Sequence, residues 1–398
     1  MRHPSIHFNI KLFFGRMDIM KKNPIVRVIA LVLLLTTGLL LLSLPTRAAP
    51  SVSAKSAILM EAEGRTVLYQ QNAFVRMPMA STTKIMTAVV TIESGNVKRT
   101  VSIPPAATGI EGSSVYLYPE EQLTVEELLY ALLLESANDA ATALAIAVAG
   151  SVDAFAARMN QKAEELGLTA THFVNPHGLD NEEHYTTAYD LAVLTAYALE
   201  NETFRAICAT TRKTIPLKGD EGTRVLVNHN KMLTRYEGAM GVKTGFTKKS
   251  GRCLVSAAER DGLTLIAVTL SAPDDWNDHT ALLDFGFSSY ARMTLAEKNE
   301  TLSSLSVSGG IAETVGVATA SRVSVMLRRD AGNITLKIEA APFLVAPVKQ
   351  GTTVGRAVWI CDGREIASVP LVATEDVPCK KAERKGLWTF LTSLFDRE

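Results

Sequence analysis

Two apolar runs, residues 253–258 and 263–270, flank the dipeptide Asp261-Gly262. Asp-Gly between alternating apolar stretches is a strong hairpin signal, because the tight turn needs residues that tolerate positive φ. An antiparallel strand pair is therefore expected late in the chain. An earlier hairpin is expected from the apolar runs 54–60 and 67–69, with Glu63-Gly64 as the turn. The sequence between the two hairpins is largely helical. Thr124 and Glu127 form a capping box ahead of Leu128, Leu129, Leu132 and Leu133, a nearly all-apolar helix that should be buried. It breaks at Glu135-Ser136-Ala137-Asn138-Asp139. Further helices are expected over 140–149, over 151–166 with Gly167 as stop, and from Thr187-Ala188-Tyr189-Asp190 onward. Residues 101–103 and 115–117 read as short extended pieces. After Thr210 the texture changes to strands: a hairpin of 213–217 with 224–227, then a strand over 238–245 entering a turn. A closing helix spans 281–290 and is opened by Asp274-Asp275-Trp276-Asn277-Asp278-His279, whose acidic residues suit a helix N-terminus. This order predicts an α/β sandwich with a helical insert. From Thr301 all patterns are short strands (323–327, 334–338, 357–360), so a separate small β domain is expected over 301–377.

Both chain ends carry a membrane-related pattern. Lys21-Lys22 and Arg27 precede an apolar run over 28–44, followed by Pro45-Thr46-Arg47-Ala48-Ala49-Pro50. That describes a secretory signal peptide over 1–49, cleaved after Ala48 or Ala49, with an uncleaved anchor helix as the alternative. Met20 looks like a natural start, which would leave 1–19 outside the protein. Either way the bulk of the chain, residues 50–295 and beyond, is exported. At the other end Lys380, Lys381, Arg384 and Lys385 precede Leu387-Trp388-Thr389-Phe390-Leu391 and Leu394-Phe395. Basic residues before an aromatic amphipathic stretch fit a helix lying in a membrane interface, here over 378–398. The alternative is a terminal helix docked on its own domain. With 41 basic and 41 acidic residues, bulk charge gives no attraction to nucleic acid. Export permits disulfides among Cys208, Cys253, Cys361 and Cys379, and the last two are close enough in sequence to pair; the pairing stays open. There is no Cys-x-x-Cys and the histidines are scattered, so neither a metal nor another cofactor is expected.

The chemistry centres on Ser81-Thr82-Thr83-Lys84. Placed at a helix start, Ser81 and Lys84 share one face. A serine hydroxyl attacks at neutral pH only when a base takes its proton, and a lysine is such a base when burial or a nearby cation lowers its pKa. By itself the pattern equally describes a capping serine and a solvated lysine. Two further motifs change that balance. Ser136-Ala137-Asn138 lies at the break between buried helices, where Ser136 could relay a proton and Asn138 could bind Lys84 and a substrate amide. Lys243-Thr244-Gly245 ends a strand that can pass beside the Ser81 helix. Lys243 and Thr244 would then grip a carboxylate, while Gly245 lets a substrate backbone approach. The backbone N–H groups of Ser81 and Phe246 are candidate oxyanion donors. Two rivals fit less well. Ser94-Gly95-Asn96 lies about 20 Å along the helix and reads as its C-cap, and Lys249-Ser250-Gly251 reads as a solvated hairpin tip.

Ser-x-x-Lys, Ser-x-Asn and Lys-Thr-Gly in this order resemble the motif set of penicillin-recognising serine enzymes. The contexts Met79-Ala80-Ser81-Thr82-Thr83-Lys84, Asn175-Pro176-His177-Gly178-Leu179, Thr187-Ala188-Tyr189-Asp190 and Lys243-Thr244-Gly245-Phe246-Thr247 are similar to those of the D-alanyl-D-alanine carboxypeptidases, low-molecular-mass penicillin-binding proteins of serine peptidase family S11. The resemblance implies a β-lactamase/transpeptidase-like antiparallel sheet with a helical block, a small C-terminal all-β domain and a terminal amphipathic helix. It implies an extracytoplasmic enzyme that removes the terminal D-alanine of peptidoglycan pentapeptides through an acyl-enzyme, and that is acylated by β-lactams. Ser81 then corresponds to the nucleophile, Lys84 to its base, Ser136 and Asn138 to the second motif, and Lys243 and Thr244 to the carboxylate-binding strand. Two positions depart from the pattern. Phe246 stands where some members carry histidine. The arginine that some members use for the carboxylate is missing from 271–279, leaving Arg252 as the only arginine nearby. A class A β-lactamase is a rival, but the Glu-x-x-x-Asn pattern of its deacylating glutamate is absent from the sequence. A transpeptidase or endopeptidase on the same scaffold, or a non-enzymatic wall-binding module, are the other readings. His177 is expected to be structural, and the deacylating base is Lys84 or Ser136.

Overall fold

The computed structural model describes residues 49–217 and 222–381. The expected signal segment before Ala49, and the tail beyond Lys381, lie outside the described residues. The first elements are β1 (Ser56–Glu61), β2 (Val67–Gln71), a 3-10 turn (Ala80–Thr83) and α1 (Lys84–Glu93). β3 (Thr100–Ser102) and β4 (Gln122–Thr124) follow, then the helices α2 (Val125–Leu134), α3 (Asn138–Ala149), α4 (Val152–Glu165), α5 (Ala188–Glu200) and α6 (Glu202–Ala209). β5 (Arg212–Leu217) and β6 (Gly222–Val227) form a hairpin, and α7 (Met232–Arg235) leads to β7 (Ala239–Thr247), β8 (Gly251–Arg260), β9 (Leu263–Leu270) and α8 (Asp275–Ser289).

The main sheet has the order β2-β1-β9-β8-β7 with antiparallel neighbours throughout. The β8–β9 turn is the expected one: Asp261 and Gly262 take φ of 51° and 72°. Both faces of this sheet are covered, and the strand period of two shows how. Leu254, Ala258, Leu265 and Ala267 pack with Leu282 and Leu283 of α8. The residues between them (Val255, Ala257, Ile266, Val268) face the helical block. That block is capped as the sequence indicates. Thr124 and Glu127 exchange backbone and side-chain hydrogen bonds at α2, and Ser151 caps α4, each contact stabilising its helix by roughly 1 kcal/mol.

Three local expectations are corrected. Residues 115–117 form no strand, because the Val115 and Leu117 N–H groups donate to the buried Asp139 carboxylate instead of to a neighbouring strand; β3 pairs with β4. β7 does not end at Gly245 but runs to Thr247, so Lys243-Thr244-Gly245 sits inside an edge strand. Ser250 is buried rather than solvated, and exchanges hydrogen bonds with Thr247. The closing helix starts at Asp275, within the acidic run 274–279 expected to open it.

The C-terminal strands are β10 (Tyr290–Ala296), β11 (Thr301–Ser308), β12 (Thr314–Thr319), β13 (Val323–Arg328), β14 (Ile334–Ala340), β15 (Phe343–Val345), β16 (Thr353–Cys361) and β17 (Arg364–Ala373). Six of them form a sheet in the order β14-β16-β17-β12-β11-β15, and β10 pairs with β13. Trp359, Leu371, Val369 and Val317 supply its core. Hydrogen bonding carries this module past 301–377 on both sides: β10 precedes it, while Ile311 N–H to Pro378 O and Lys380 N–H to Gly309 O follow it. Arg292 of β10 ties it to the β1–β2 hairpin by pairing with Glu61 and Glu63. Cys361 and Cys379 are not joined; all four cysteines are free thiols.

Candidate active site

Ser81 lies in the 3-10 turn that feeds α1, not in the α-helix itself. The two threonines of Ser81-Thr82-Thr83-Lys84 explain why this turn holds. Thr82 Oγ1 donates to Met79 O at 2.6 Å and Thr83 Oγ1 to Ala80 O at 2.7 Å. Thr83 Oγ1 also meets His184 Nε2 at 2.7 Å. His184 Nδ1 accepts from the Val174 N–H, so the ring proton sits on Nε2 and is donated to Thr83. Burial holds His184 neutral, with its pKa lowered to about 4.

Lys84 is fully buried. Its Nζ lies 2.6 Å from His177 O, 2.7 Å from Asn138 Oδ1 and 3.0 Å from Ser81 Oγ. Asn138 Nδ2 donates to Glu111 O at 2.6 Å, which fixes Oδ1 toward the lysine. Burial, and next the Lys243 cation, lower the Lys84 pKa well below 10.5, against an opposing pull from Asp139. A neutral amine has two N–H groups and one lone pair. The two carbonyl oxygens can only accept, so they take the two N–H groups, and the lone pair is left for the Ser81 hydroxyl proton. In the neutral form, this geometry aims the Lys84 lone pair at Ser81.

Ser136, at φ 60°, and Asn138 occupy the α2–α3 break as expected. Asp139 behind them accepts from Ser114 Oγ and from the Val115, Leu117 and Ala140 N–H groups, which pins the loop carrying Ser113 to the cleft. β7 passes beside Ser81: a Cβ on Gly245 would stand 3.0 Å from Ser81 N and 3.1 Å from Thr82 N. Lys243 is buried, with its pKa lowered to about 7 by desolvation, and Nζ donates to Thr244 O. Thr247 N–H turns to Ser250 Oγ on the β8 side. N–H groups alternate between strand edges, so the Phe246 N–H faces the free edge; its ring is 65% exposed. Ser81, Ser113, Ser136, Thr244, Gly245, Phe246, Arg252 and Trp276 line one cleft of about 400 Å³.

Two contributors could not be named from sequence as site residues, and a third, Arg252, could be named but not placed. The His177 carbonyl is a backbone group that any residue would supply; the visible signal is Gly178, at φ 92°, where a Cβ would fall 1.9 Å from Ala80 O. Asp139 gives no signal beyond its neighbours. Arg252 is brought to the cleft by the β7–β8 register, opposite Phe246, and held by Asp275 at 2.9 Å over the Trp276 ring. Ser94 caps the far end of α1. No group of three or more His, Cys, Asp and Glu side chains suited to a metal occurs among the described residues.

Comparison with known proteins agrees with this geometry. The D-alanyl-D-alanine carboxypeptidase family model matches residues 44–274, and that of the penicillin-binding protein 5 C-terminal domain matches 290–379. The D-alanyl-D-alanine carboxypeptidase DacF of Bacillus subtilis is 35% identical over 348 residues, 85% of this chain and 88% of that protein. DacC of Escherichia coli, another D-alanyl-D-alanine carboxypeptidase, is 33% identical over 83% of this chain and 85% of its own length. The crystal structure of penicillin binding protein 5 from Haemophilus influenzae superposes with a TM-score of 0.70 at 27% identity, covering 83% of this chain and 99% of that one. The chain belongs to the D-alanyl-D-alanine carboxypeptidase family, serine peptidase family S11.

Proposed function

We propose that this protein is a serine D-alanyl-D-alanine carboxypeptidase that trims peptidoglycan stem pentapeptides outside the cytoplasm. The observation that carries this is the Lys84 amine, 3.0 Å from Ser81 Oγ with Asn138 and His177 oxygens accepting two of its N–H groups, so that in its neutral form the lone pair faces Ser81. Ser81 Oγ attacks the carbonyl between the two D-alanines and its proton passes to Lys84. The Ser81 and Phe246 N–H groups receive the oxyanion. The proton then goes to the leaving amine, with Ser136 placed as relay, and the C–N bond breaks to release D-alanine. Water, activated by the same lysine, opens the acyl-enzyme to tetrapeptide and free serine. β-Lactams enter as substrate analogues that acylate Ser81 and leave slowly.

The substrate's terminal carboxylate meets Thr244, the Lys243 cation behind it, and Arg252. Asp275 takes one edge of the Arg252 guanidinium and leaves the rest of the fork for a carboxylate. This supplies, from β8, the arginine that the sequence lacks over 271–279. Catalysis belongs to the part ending at Ser289, and the β module from Tyr290 acts as a spacer. Export by the 1–49 signal segment and membrane association through the basic amphipathic tail place the enzyme at the outer face of the cytoplasmic membrane. D-alanine release from an acylated peptide ending in D-Ala-D-Ala, compared between the native chain and Ser81→Ala, tests the proposal. Release by the native chain alone is expected, and a folded native chain that releases none would overturn it.

A further inference from the structure

The C-terminal sheet presents an apolar edge at the end of the module from which the tail departs. β15 lies parallel to β11, with Phe343 opposite Ser306, Leu344 opposite Val307 and Val345 opposite Ser308. Leu344 packs inward with Val307 and Val348. Side chains alternate across a strand, so Phe343 and Val345 point outward, and they are 54% and 68% exposed. Ile311, 63% exposed, follows three residues after the end of β11. The last described residues run along the same rim, since Ile311 N–H donates to Pro378 O and Lys380 N–H to Gly309 O. Val348 exchanges hydrogen bonds with Val377 in an antiparallel bridge, so the chain from Val377 runs back toward Val345 and carries exposed Lys380 and Lys381 to this rim.

An edge strand with outward apolar residues is a liability that soluble proteins usually blunt with charge. Here the apolar side chains stand bare and the lysines flank them. Apolar side chains beside clustered lysines suit an anionic lipid surface, where the lysines meet headgroups and the apolar groups enter the interface. The chain leaves this rim at Lys381 and continues through Arg384, Lys385 and the aromatic stretch 387–395. We propose that the rim formed by Ile311, Phe343 and Val345 is a second membrane contact, seated on the anionic surface beside the tail. The β module then lies against the membrane instead of hanging from the tail alone. This rests on the proposed membrane association of the tail.

The test is partition of the full chain onto phosphatidylethanolamine–phosphatidylglycerol vesicles, with hydrogen exchange read by mass spectrometry. The variant Ile311→Ser/Phe343→Ser/Val345→Ser should partition about tenfold or more weakly, with unchanged melting temperature and unchanged D-alanine release in the absence of vesicles. Leu336→Ser, on the opposite edge strand β14, should partition as the native chain does. Residues 309–311 and 343–346 should gain exchange protection only with vesicles. Equal partition of native chain and triple variant would overturn the proposal while leaving the tail reading intact. Failure of the native chain to partition at all would overturn both. Protection there that rises with protein concentration in the absence of vesicles would also overturn it and identify a second copy as the occupant, and protection without vesicles that is lost on deleting residues 382–398 would overturn it and identify the chain's own tail.

Discussion

The two parts of the described chain bury different things. Up to Ser289, Lys84, Lys243, Asn138, Asp139 and His279 are all withdrawn from water. From Tyr290 to Lys381, Thr319 is the one polar side chain buried to that degree among the described residues. The β module instead wears its charges outside, as in the Arg356 pairs with Glu339 and Glu365. Exposed pairs of that kind contribute about 0–1 kcal/mol, whereas burying a charge is costly unless the group is paired or neutralised. A fold that keeps two lysines buried near one serine forgoes stability it could have had from apolar residues. The sharper the contrast between the two parts, the more firmly the chemistry is located in the first.

The largest expected difference lies in acylation. Lys84→Met should slow penicillin acylation by about 10²–10⁴-fold, the range for losing a positioned base, while Arg356→Ala should leave the rate unchanged. Stopped-flow or quench-flow acylation rates check both, and a Lys84→Met enzyme of native rate would break the assignment. Next comes backbone fit. Gly178→Ala places a Cβ 1.9 Å from Ala80 O at a positive φ, and should cost about 3 kcal/mol or more, together with the site. Gly351→Ala in the β module also has positive φ, but nothing lies within 4 Å, and about 1 kcal/mol is expected. Urea midpoints of the two variants measure the gap.

A smaller difference should appear on acidification. His177, His184 and His279 are held neutral by burial, with pKa values lowered to about 3, 4 and 3. The unfolded chain binds more protons than the native one between the ordinary value of 6.5 and those values. Their contribution is therefore complete above pH 6.5 and is lost as pH falls toward 3, by up to about 1.4 kcal/mol per pH unit for each ring. No histidine follows His279 in the sequence, so hydrogen exchange at pH 5 should loosen the catalytic part before the β module. Smallest of all, the stability change of Arg356→Ala should stay within about 0.5 kcal/mol.

Much of the site was legible because its groups are side chains in short linear motifs. Ser81 and Lys84 are three residues apart, and Lys243 and Thr244 announce themselves beside a glycine. The Asp261-Gly262 hairpin and the Thr124–Glu127 box were legible for a similar reason: their partners are close in sequence. What escaped depends on partners far apart in the chain. The His177 carbonyl reaches Lys84 only because the loop packs over a glycine. Residues 115–117 look like a strand until the Asp139 carboxylate, more than twenty residues on, takes their N–H groups. Arg252 has no motif; strand register alone brings it to the cleft.

The most direct test of the central claim is intact-mass and peptide-mapping spectrometry of the folded chain after incubation with benzylpenicillin. The geometry predicts one penicilloyl group, on the peptide that contains Ser81, absent from Ser81→Ala and slow to form in Lys84→Met. A folded native chain that stays unmodified, or an adduct on another residue, would contradict the pairing of Ser81 with Lys84 as nucleophile and base.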